Sequence, residues 1–502
     1  MDEEKITLQD EPGEGETVLR NHPSVIAGNM LVLMLFLGFF LFMSALKSDE
    51  PILEDDRVLG LIVIFVASLA FIFYRRWKLT TYTFGETEIT VYRNTVFKHK
   101  THIQYSRLAS VNVRRSIVNH IFGTTTLLFN VNSSVNTMQA EASLTLMADE
   151  ADRLRENISK RIFQKEMKLD EDIKHETLVE VSNFDVILHG LFGQPTSQAL
   201  TGLAFLAYSL ITVFWGDGSG VLVALIMFVF TTAMPWVRTI LRYYNYRIYR
   251  VGDTITVESG LISNYRSSFK IKKVNAVRIR EPLLARAMGK ALLEAEVIGL
   301  ADAEGLPLLC PLKGKKTVMK LAEELVPEFL FDYEHKGQPR KAFLPTMANR
   351  LFFAAVLFLI GVASYFLVGI IHFEPGNEIF RMVLLAADAI VGIAAPVFLI
   401  VHGLLAQSNR EFAMDKETFM FVIGAYDRET DFIKYDKVQM TSVTSGIIQR
   451  RFGVSRCTVS LMSARGPKSI RSGVFAEEEL ESVPSEVMAR IEDGRYDYRL
   501  YQ

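Results

Sequence analysis

Long apolar stretches alternate with charged blocks along this chain, and that alternation constrains its fold more than any single motif does. A bilayer core of about 30 Å takes roughly 20 apolar residues in helical form. Six stretches meet that length: Val25–Leu46, Val58–Tyr74, Ala199–Trp215, Val221–Val237, Leu351–Ile371 and Met382–Leu405. They fall into three close pairs whose connections are too short to fold alone, so the expectation is three transmembrane hairpins, 25–74, 199–237 and 351–405. The first stretch is longer than a signal-peptide core and follows Asp2, Glu3 and Glu4 in an N-terminal segment, 1–24, without a basic start. It is therefore expected to stay as an anchor rather than be cleaved. The chain is 49% hydrophobic yet 22% charged, which requires the two kinds of residue to be segregated into spans and polar domains.

Basic residues beside a span resist translocation and so set its orientation. Arg75, Arg76 and Lys78 follow the second stretch, Arg238 and Arg242 the fourth, and Arg340, Lys341 and Arg350 precede the fifth. The hairpin turns are acidic or neutral: Asp49, Glu50, Glu54, Asp55 and Asp56 in the first, Gly216 to Gly220 around Asp217 in the second, Glu374 and Glu378 in the third. The turns are placed outside; both termini and all intervening domains are placed in the cytoplasm of a multi-pass cell-membrane protein. Cys310 and Cys457 then lie in a reducing compartment as thiols. With 55 basic against 57 acidic residues, no whole-chain field attracts nucleic acid, and none is expected as a partner.

Three polar blocks follow the hairpins, at 79–165, 244–330 and 410–492, and they repeat one another. Ile103, Tyr105, Arg107, Leu108 and Val111 align with Phe269, Ile271, Lys273, Val274 and Val277, and with Ile433, Tyr435, Lys437, Val438 and Thr441. A glycine recurs at one spacing after them, as Gly123, Gly289 and Gly453, with His120, Arg286 or Arg450 three residues before it. The runs Tyr82–Val91 and Tyr246–Val257, broken at Gly85-Glu86 and Gly252-Asp253, suit strands joined by tight turns, whereas Asp415-Lys416-Glu417 replaces the glycine turn in the third copy. Ile103 and Tyr105 alternate with Gln104 and Ser106 as a half-buried strand does. The segment before each repeated glycine is read as a short helix that the glycine ends in left-handed conformation. More strands follow, such as Thr125–Val131 and Thr458–Met462, and each block closes on a helical pattern, Met147–Phe163, Thr317–Leu330 and Glu477–Ile491.

The two-strand openings, the pairs Arg107-Leu108, Lys273-Val274 and Lys437-Val438, the short helix ending in Phe-Gly or Met-Gly and the closing helix resemble bacterial pleckstrin-homology-like (PH) domains. Three such domains, each behind a hairpin, resemble the YdbT-like membrane proteins. The resemblance covers about 80 residues of each copy. It implies a fold class of six transmembrane helices plus α+β domains, each a bent, barrel-like sheet of about seven strands capped by a C-terminal helix. It also implies binding or scaffolding without catalysis, a link to resistance against membrane-active antimicrobial peptides, and a partner that is a smaller PH-like membrane protein or a second copy of the chain.

No catalytic signature is present: no phosphate loop, no His-Glu-x-x-His, no Gly-x-Ser-x-Gly. His99 and His102 have no third ligand nearby, so neither a metal nor another cofactor is expected. Basic clusters are the candidate contacts to anionic lipid headgroups or to a partner: Lys98 and Lys100, Arg114 and Arg115, Lys270, Lys272 and Lys273, and Lys313, Lys315 and Lys316. The first two blocks carry a basic excess and the third is balanced. A solvated face explains each cluster at least as well. Asp388, inside the sixth stretch, is costly in lipid and is expected to meet a polar group or water near the outer surface. Pro235 and Pro396, with Gly392, are expected to kink their helices. Leu178–Phe192 and Ala342–Leu351 are amphipathic linkers, either lying in the headgroup layer or packed on a domain.

These features point to a non-enzymatic membrane scaffold bound to lipid or protein. A transporter component is the first rival, which six spans permit and which would lean on Asp388. A lipid-modifying enzyme is the second.

Overall fold

The computed structural model describes residues 17–47, 56–95, 98–131, 142–163, 179–215, 219–261, 264–298, 308–332, 334, 336–370, 378–463 and 466–494. Over these the chain forms two compact units. One comprises Met1–His175 with Gly260–Ser268 and Gly299–Ala301; the other comprises Glu176–Ser259, Phe269–Ile298 and Asp302–Gln502.

In the first unit, helices Ser24–Lys47 and Asp56–Lys78 fall between the first and second strands of an antiparallel sheet ordered Thr17–Leu19, Thr80–Phe84, Glu88–Asn94 and Lys98–Gln104. Burial along Thr80–Phe84 alternates with the two-residue period of a strand, which turns Tyr82 and Phe84 onto a core with Ile89, Val91, Ile103, Leu127, Phe129 and Leu144. Strands Leu108–Arg115, Thr124–Val131 and Ala142–Met147 pair in sequence, and helix Ala148–Phe163 closes over them with Ala151 and Ile158 buried. Residues 264–266 also belong to this unit: Asn264, Tyr265 and Arg266 pair with Arg115, Arg114 and Val113.

The second unit is built on a seven-stranded antiparallel sheet ordered Leu308–Gly314, Lys290–Val297, Val274–Glu281, Arg428–Lys434, Thr418–Ile423, Glu411–Met414 and Lys336–Gly337. Its central pairing runs from Ala276↔Ile433 to Glu281↔Arg428 and so joins a strand of the second repeat to one of the third. The core of the third repeat also takes in Ala276 of the second. Phe419, Phe421, Tyr435, Val459, Leu461 and Phe475 pack under helix Glu477–Glu492, whose Leu480 and Val483 are buried. Helix Lys315–Leu325 buries Val318, Leu321, Ala322 and Leu325, the three-and-four spacing of one helical face. The third repeat's seven strands fall in two sheets: Glu411–Met414, Thr418–Ile423 and Arg428–Lys434 in one, and Val438–Thr444, Val454–Ser463, Gly466–Arg471 and Phe475–Ala476 paired beyond the corner.

That corner differs from the continuous alternating strand expected at Ile103 to Ser106. The strand stops at Gln104, and Tyr105–Arg107 form a 3-10 turn, as do Ile271–Lys273 and Tyr435–Lys437. Pairing slips just after each turn, between Leu108 and Ser110, Val274 and Ala276, and Val438 and Met440. A bulge sharpens the bend and twist of a strand, so this aligned segment is where the chain passes from one sheet to the next. Its buried residue, Tyr105, Ile271 or Tyr435, fills the angle.

The repeated glycines end short helices as expected, with φ of 63° at Gly123, 65° at Gly289 and 62° at Gly453. They also hold the closing helices. The carbonyls of Gly123, Gly289 and Gly453 accept from the N–H groups of Ala148, Lys315 and Glu477 at 3.1, 3.0 and 3.4 Å.

Among the described residues four helices are long and apolar enough to cross a membrane: Val58–Lys78, Ala224–Tyr243, Arg340–Ile370 and Leu384–Asn409. The other two expected stretches lie within helices Ser24–Lys47 and Thr196–Trp215. Phe71, Ile64, Phe352 and Phe366 project outward, as side chains facing lipid do. The expected kinks take the form of single π turns, Val229–Ala233 and Ile390–Ala394, each just before its proline. Proline lacks the N–H for the usual bond and crowds the preceding carbonyl, and one wider turn absorbs both effects. Both π turns lie against a glycine: a Cβ at Gly202 would strike Thr232, and one at Gly361 would strike Gly392.

The amphipathic segments also resolve into shorter elements. Val179–Glu180 is a strand paired with Ile248 and Arg247, and the helix begins only at Asn183, because Ser182 and Asp185 form a capping box there. Leu178 lies outside the described residues. Helix Asn183–Phe192 packs on the second repeat, with Val186, His189 and Gly190 buried. The second segment forms a 3-10 turn, Arg340–Ala342, followed without a break by helix Phe343–Ile370.

Candidate functional site

The basic residues singled out by sequence do not form one surface. Lys98 and Lys100 are exposed on an edge strand. Arg114 is exposed, whereas Arg115 donates from Nε to Thr125 Oγ1 at 2.7 Å and lies 3.5 Å from Asp152. Lys270, Lys272 and Lys273 gather at the corner of the second repeat, where the Lys272 carbonyl accepts from Lys437 Nζ at 3.0 Å. Burial, followed by the nearby Lys270, pushes Lys273 down to about 8. Lys313 lies 3.5 Å from Asp185 and Lys315 3.0 Å from Glu281, so both face carboxylates of this chain; Lys316 is exposed. Asp388 is half-buried in a 340 Å³ cavity between apolar helices, lined by Phe358, Gly361, Tyr365 and Gly392 among others. Cys310 and Cys457 are buried thiols, each pushed up to about 12 by burial, which leaves them inert as nucleophiles near neutral pH.

Polar chemistry concentrates instead at two places within the second unit. The first is the seam between the second and third repeats. Arg278, on the central strand of the sheet, donates from Nε to Asp431 at 2.7 Å and lies 3.6 Å from Glu429 and 4.0 Å from Glu296. Burial opposes its charge, but Asp431 and then Glu429 more than offset this, and its pKa is raised. Glu296, fully buried, accepts from Ser463 at 2.5 Å and from Lys468. Asp427 extends the seam to the helices. It accepts from the Thr196 N–H at 2.9 Å, from the Thr196 hydroxyl and from the Leu283 N–H at 3.1 Å, which satisfies the exposed ends of two helices with one carboxylate. Arg286, the basic residue before Gly289, donates to Asn409 at 3.1 Å, and Asn409 donates to the Ala425 carbonyl at 2.6 Å.

The second place is a cavity of 710 Å³ where helices Phe343–Ile370 and Ala395–Asn409 meet the third repeat. Arg350, His402, Arg410 and Arg456 line it with Asn349 and Gln449, and no carboxylate does so among the described residues. Arg350 donates from Nε to His402 Nδ1 at 3.0 Å and from Nη1 to the Thr346 carbonyl. Nε and Nη1 of Arg410 and Nε of Arg456 are buried with no hydrogen-bond partner. Burial, then Arg456 and Arg350, pushes Arg410 down to about 10; burial, then Arg471, lowers Arg456. A guanidinium at that value is still charged near neutral pH.

Sequence reading missed this cluster because its members are far apart along the chain. A signal was nevertheless present in the repeat. Arg456 stands three residues after Gly453 where Leu292 stands three after Gly289, and Arg410 precedes its first strand as Tyr246 does in the second repeat. There the same region is sealed: Leu188, Phe192 and Tyr243 pack on Ala285, Leu292, Leu308 and Leu312, and Tyr246 donates to the Leu308 carbonyl.

The bacterial PH domain family matches residues 32–162, 199–325 and 355–494. The chain is also 21% identical over 469 residues to the UPF0699 transmembrane protein YdbT of Bacillus subtilis (strain 168), covering 85% of this chain and 88% of that one. No solved structure matches it. With apolar helices long enough to cross a bilayer and the domain matched three times, the chain is a membrane protein of the bacterial PH domain family.

Proposed function

We propose that the protein is a non-enzymatic membrane scaffold. Six helices in three hairpins hold its PH-like domains at the inner face of the cell membrane, where they bind anionic lipid and a partner and contribute to protection against membrane-active peptides. The partner is a smaller PH-like membrane protein or a second copy of the chain. The observation that supports a scaffold most is the seam. Strand pairing from Ala276 to Glu281 and the buried Arg278–Asp431 contact tie two repeats into one rigid body, and Asp427 ties that body to the base of a helix. Support for the orientation comes from Arg75, Arg76, Arg238, Arg242 and Arg350 beside the apolar stretches. The family is not a known enzyme class, which favours binding over catalysis.

Deleting the gene and challenging cells with a membrane-active cationic peptide tests the reading. Sensitivity should rise, and wild-type protein and Asp388→Asn should both restore resistance. Unchanged sensitivity would remove the protective role, and loss of rescue by Asp388→Asn at normal protein level would favour a transporter. Cysteine substitutions at Lys98 and Lys316 should resist an impermeant thiol reagent in intact cells; labelling from outside would reverse the topology.

A further inference from the structure

We propose that the cavity bounded by Arg350, His402, Arg410 and Arg456 binds a phosphate group, that of an anionic membrane lipid. The inference rests on the proposed scaffold only in taking the cavity to face the inner leaflet, and it gives the lipid partner a specific seat.

Three observations carry it. First, three arginines share one cavity with no carboxylate in its lining among the described residues, and donors on Arg410 and Arg456 are buried without acceptors there. Burying unpaired cations and unmade hydrogen bonds is costly, and a multivalent oxygen anion relieves both costs together. Guanidinium groups present forked donors that match phosphate oxygens, and Asn349 and Gln449 add neutral polar groups.

Second, the cavity is amphipathic in the right order. Arg350 immediately precedes the apolar stretch that begins at Leu351, and Arg410 immediately follows helix Ala395–Asn409. Phe353 lies one turn further into one helix from Arg350, and Leu399 lies one turn further into the other from His402. Ile447, 90% exposed, stands at the rim on the short helix that contacts Phe343–Ile370. A phosphate among the arginines would leave its acyl chains along the apolar walls, an arrangement that a soluble anion does not need.

Third, the homologous place in the second repeat is closed by Leu188, Phe192 and Leu292. The opening is a feature of one repeat and not a by-product of the domain's geometry.

The full-length protein in phosphatidylcholine nanodiscs, with rising phosphatidylglycerol content in one arm and inorganic phosphate in the other, provides the test. Retained phosphatidylglycerol is counted by native mass spectrometry, and the thermal midpoint is followed in parallel. Phosphatidylglycerol should be retained and should raise the midpoint. Arg410→Gln and Arg456→Gln should each raise the half-saturating phosphatidylglycerol content about tenfold or more, the loss expected for one charge-assisted hydrogen bond. Arg456→Leu, which installs the second repeat's residue, should do the same and guards against a glutamine variant that fails to fold. The paired change Lys320→Gln and Lys336→Gln, at exposed lysines outside the cavity and outside the named basic clusters, should leave the value within about twofold, because exposed charges attract the surface only diffusely. An equal response to inorganic phosphate without anionic lipid would reassign the site to a soluble phosphate and overturn the lipid source. Equal retention by wild type and all three arginine variants would overturn the site itself. The cellular peptide challenge is scored separately, so failure of either idea leaves the other readable.

Discussion

The second and third repeats share one sheet and one corner design, yet they treat the space beneath their membrane helices in opposite ways. In the second, helix Asn183–Phe192 is separate from helix Thr196–Trp215 and folds down as a plug, with Phe192 and Leu188 against Leu292. In the third, the corresponding stretch is the first turns of the unbroken helix Phe343–Ile370, and arginines stand where the apolar wall would be. The first repeat offers a third solution in its own unit: Thr126, at the place of Arg456, is buried and bonded at 2.9 Å to both Asn119 and Thr145. The same fold thus seals the space with hydrocarbon, satisfies it with neutral hydrogen bonds, or leaves it charged and open. The last arrangement leaves buried guanidinium donors, on Arg410 and Arg456, that an anion could use.

The largest effect that bears on this comparison is at the seam the two repeats share. Arg278→Met strands Asp431 as a buried carboxylate, whereas Glu296 keeps Ser463 and Lys468, and should destabilise the protein by about 3–5 kcal/mol. Pairing it with Asp431→Leu should recover much of that loss in thermal unfolding of the detergent-solubilised protein. A double variant no better than the single would mean that the strands, rather than the charges, hold the seam. Phe192→Ala should remove about 2 kcal/mol through the plug, less than for a fully buried phenylalanine because the ring is only partly buried. If the loss is negligible, the plug does not seal the second repeat.

Gly289→Ala and Gly453→Ala should cost about 1–2 kcal/mol each and equally. A Cβ at either position meets open space, so the cost is the left-handed backbone alone. Unequal losses would show that the two helix stops are not equivalent.

The smallest effect is a pH dependence confined to the plug. His189 is 5% exposed, its Nδ1 has no partner, and burial, then Arg280, pushes it down to about 3. The unfolded chain takes up this proton below about pH 6.5 whereas the folded chain does not, so the contribution to stability is lost as pH falls from there towards 3. At about pH 5.5 the loss should be about 1.4 kcal/mol, and His189→Asn should flatten that part of the profile. An unchanged profile in the variant would place the titration elsewhere.

Much of this architecture could be read from residues alone, because local chemistry dictates it. Gly123, Gly289 and Gly453 stop helices for a reason internal to the backbone, and the apolar stretches are long for a reason internal to the bilayer. The 3-10 corner at Tyr105 was read as strand because a buried aromatic between polar neighbours fits both, and the bulge beside it leaves no mark in composition. The pairing of Val274–Glu281 with Arg428–Lys434 was not legible, since both strands carry ordinary alternation and nothing in either names its neighbour. Nothing in the sequence around Arg278 marks it as buried, and only the fold sets Asp431 and Glu296 about it. The arginine cavity was hidden for a related reason: Arg350 passes for an interfacial anchor, and Arg410 and Arg456 pass for strand flanks. Comparison of the repeats position by position exposes the substitution of charge for hydrocarbon, and only the fold shows that the substituted positions meet.

The central claim is that the second and third repeats are fused through a shared sheet into one body. Hydrogen exchange of the full-length protein in nanodiscs, comparing wild type with Arg278→Met, tests it directly. The account predicts strong protection of both 274–281 and 428–434 in wild type and a joint loss in the variant. Protection lost in one segment while the other stays intact would show two independent domains and contradict the account.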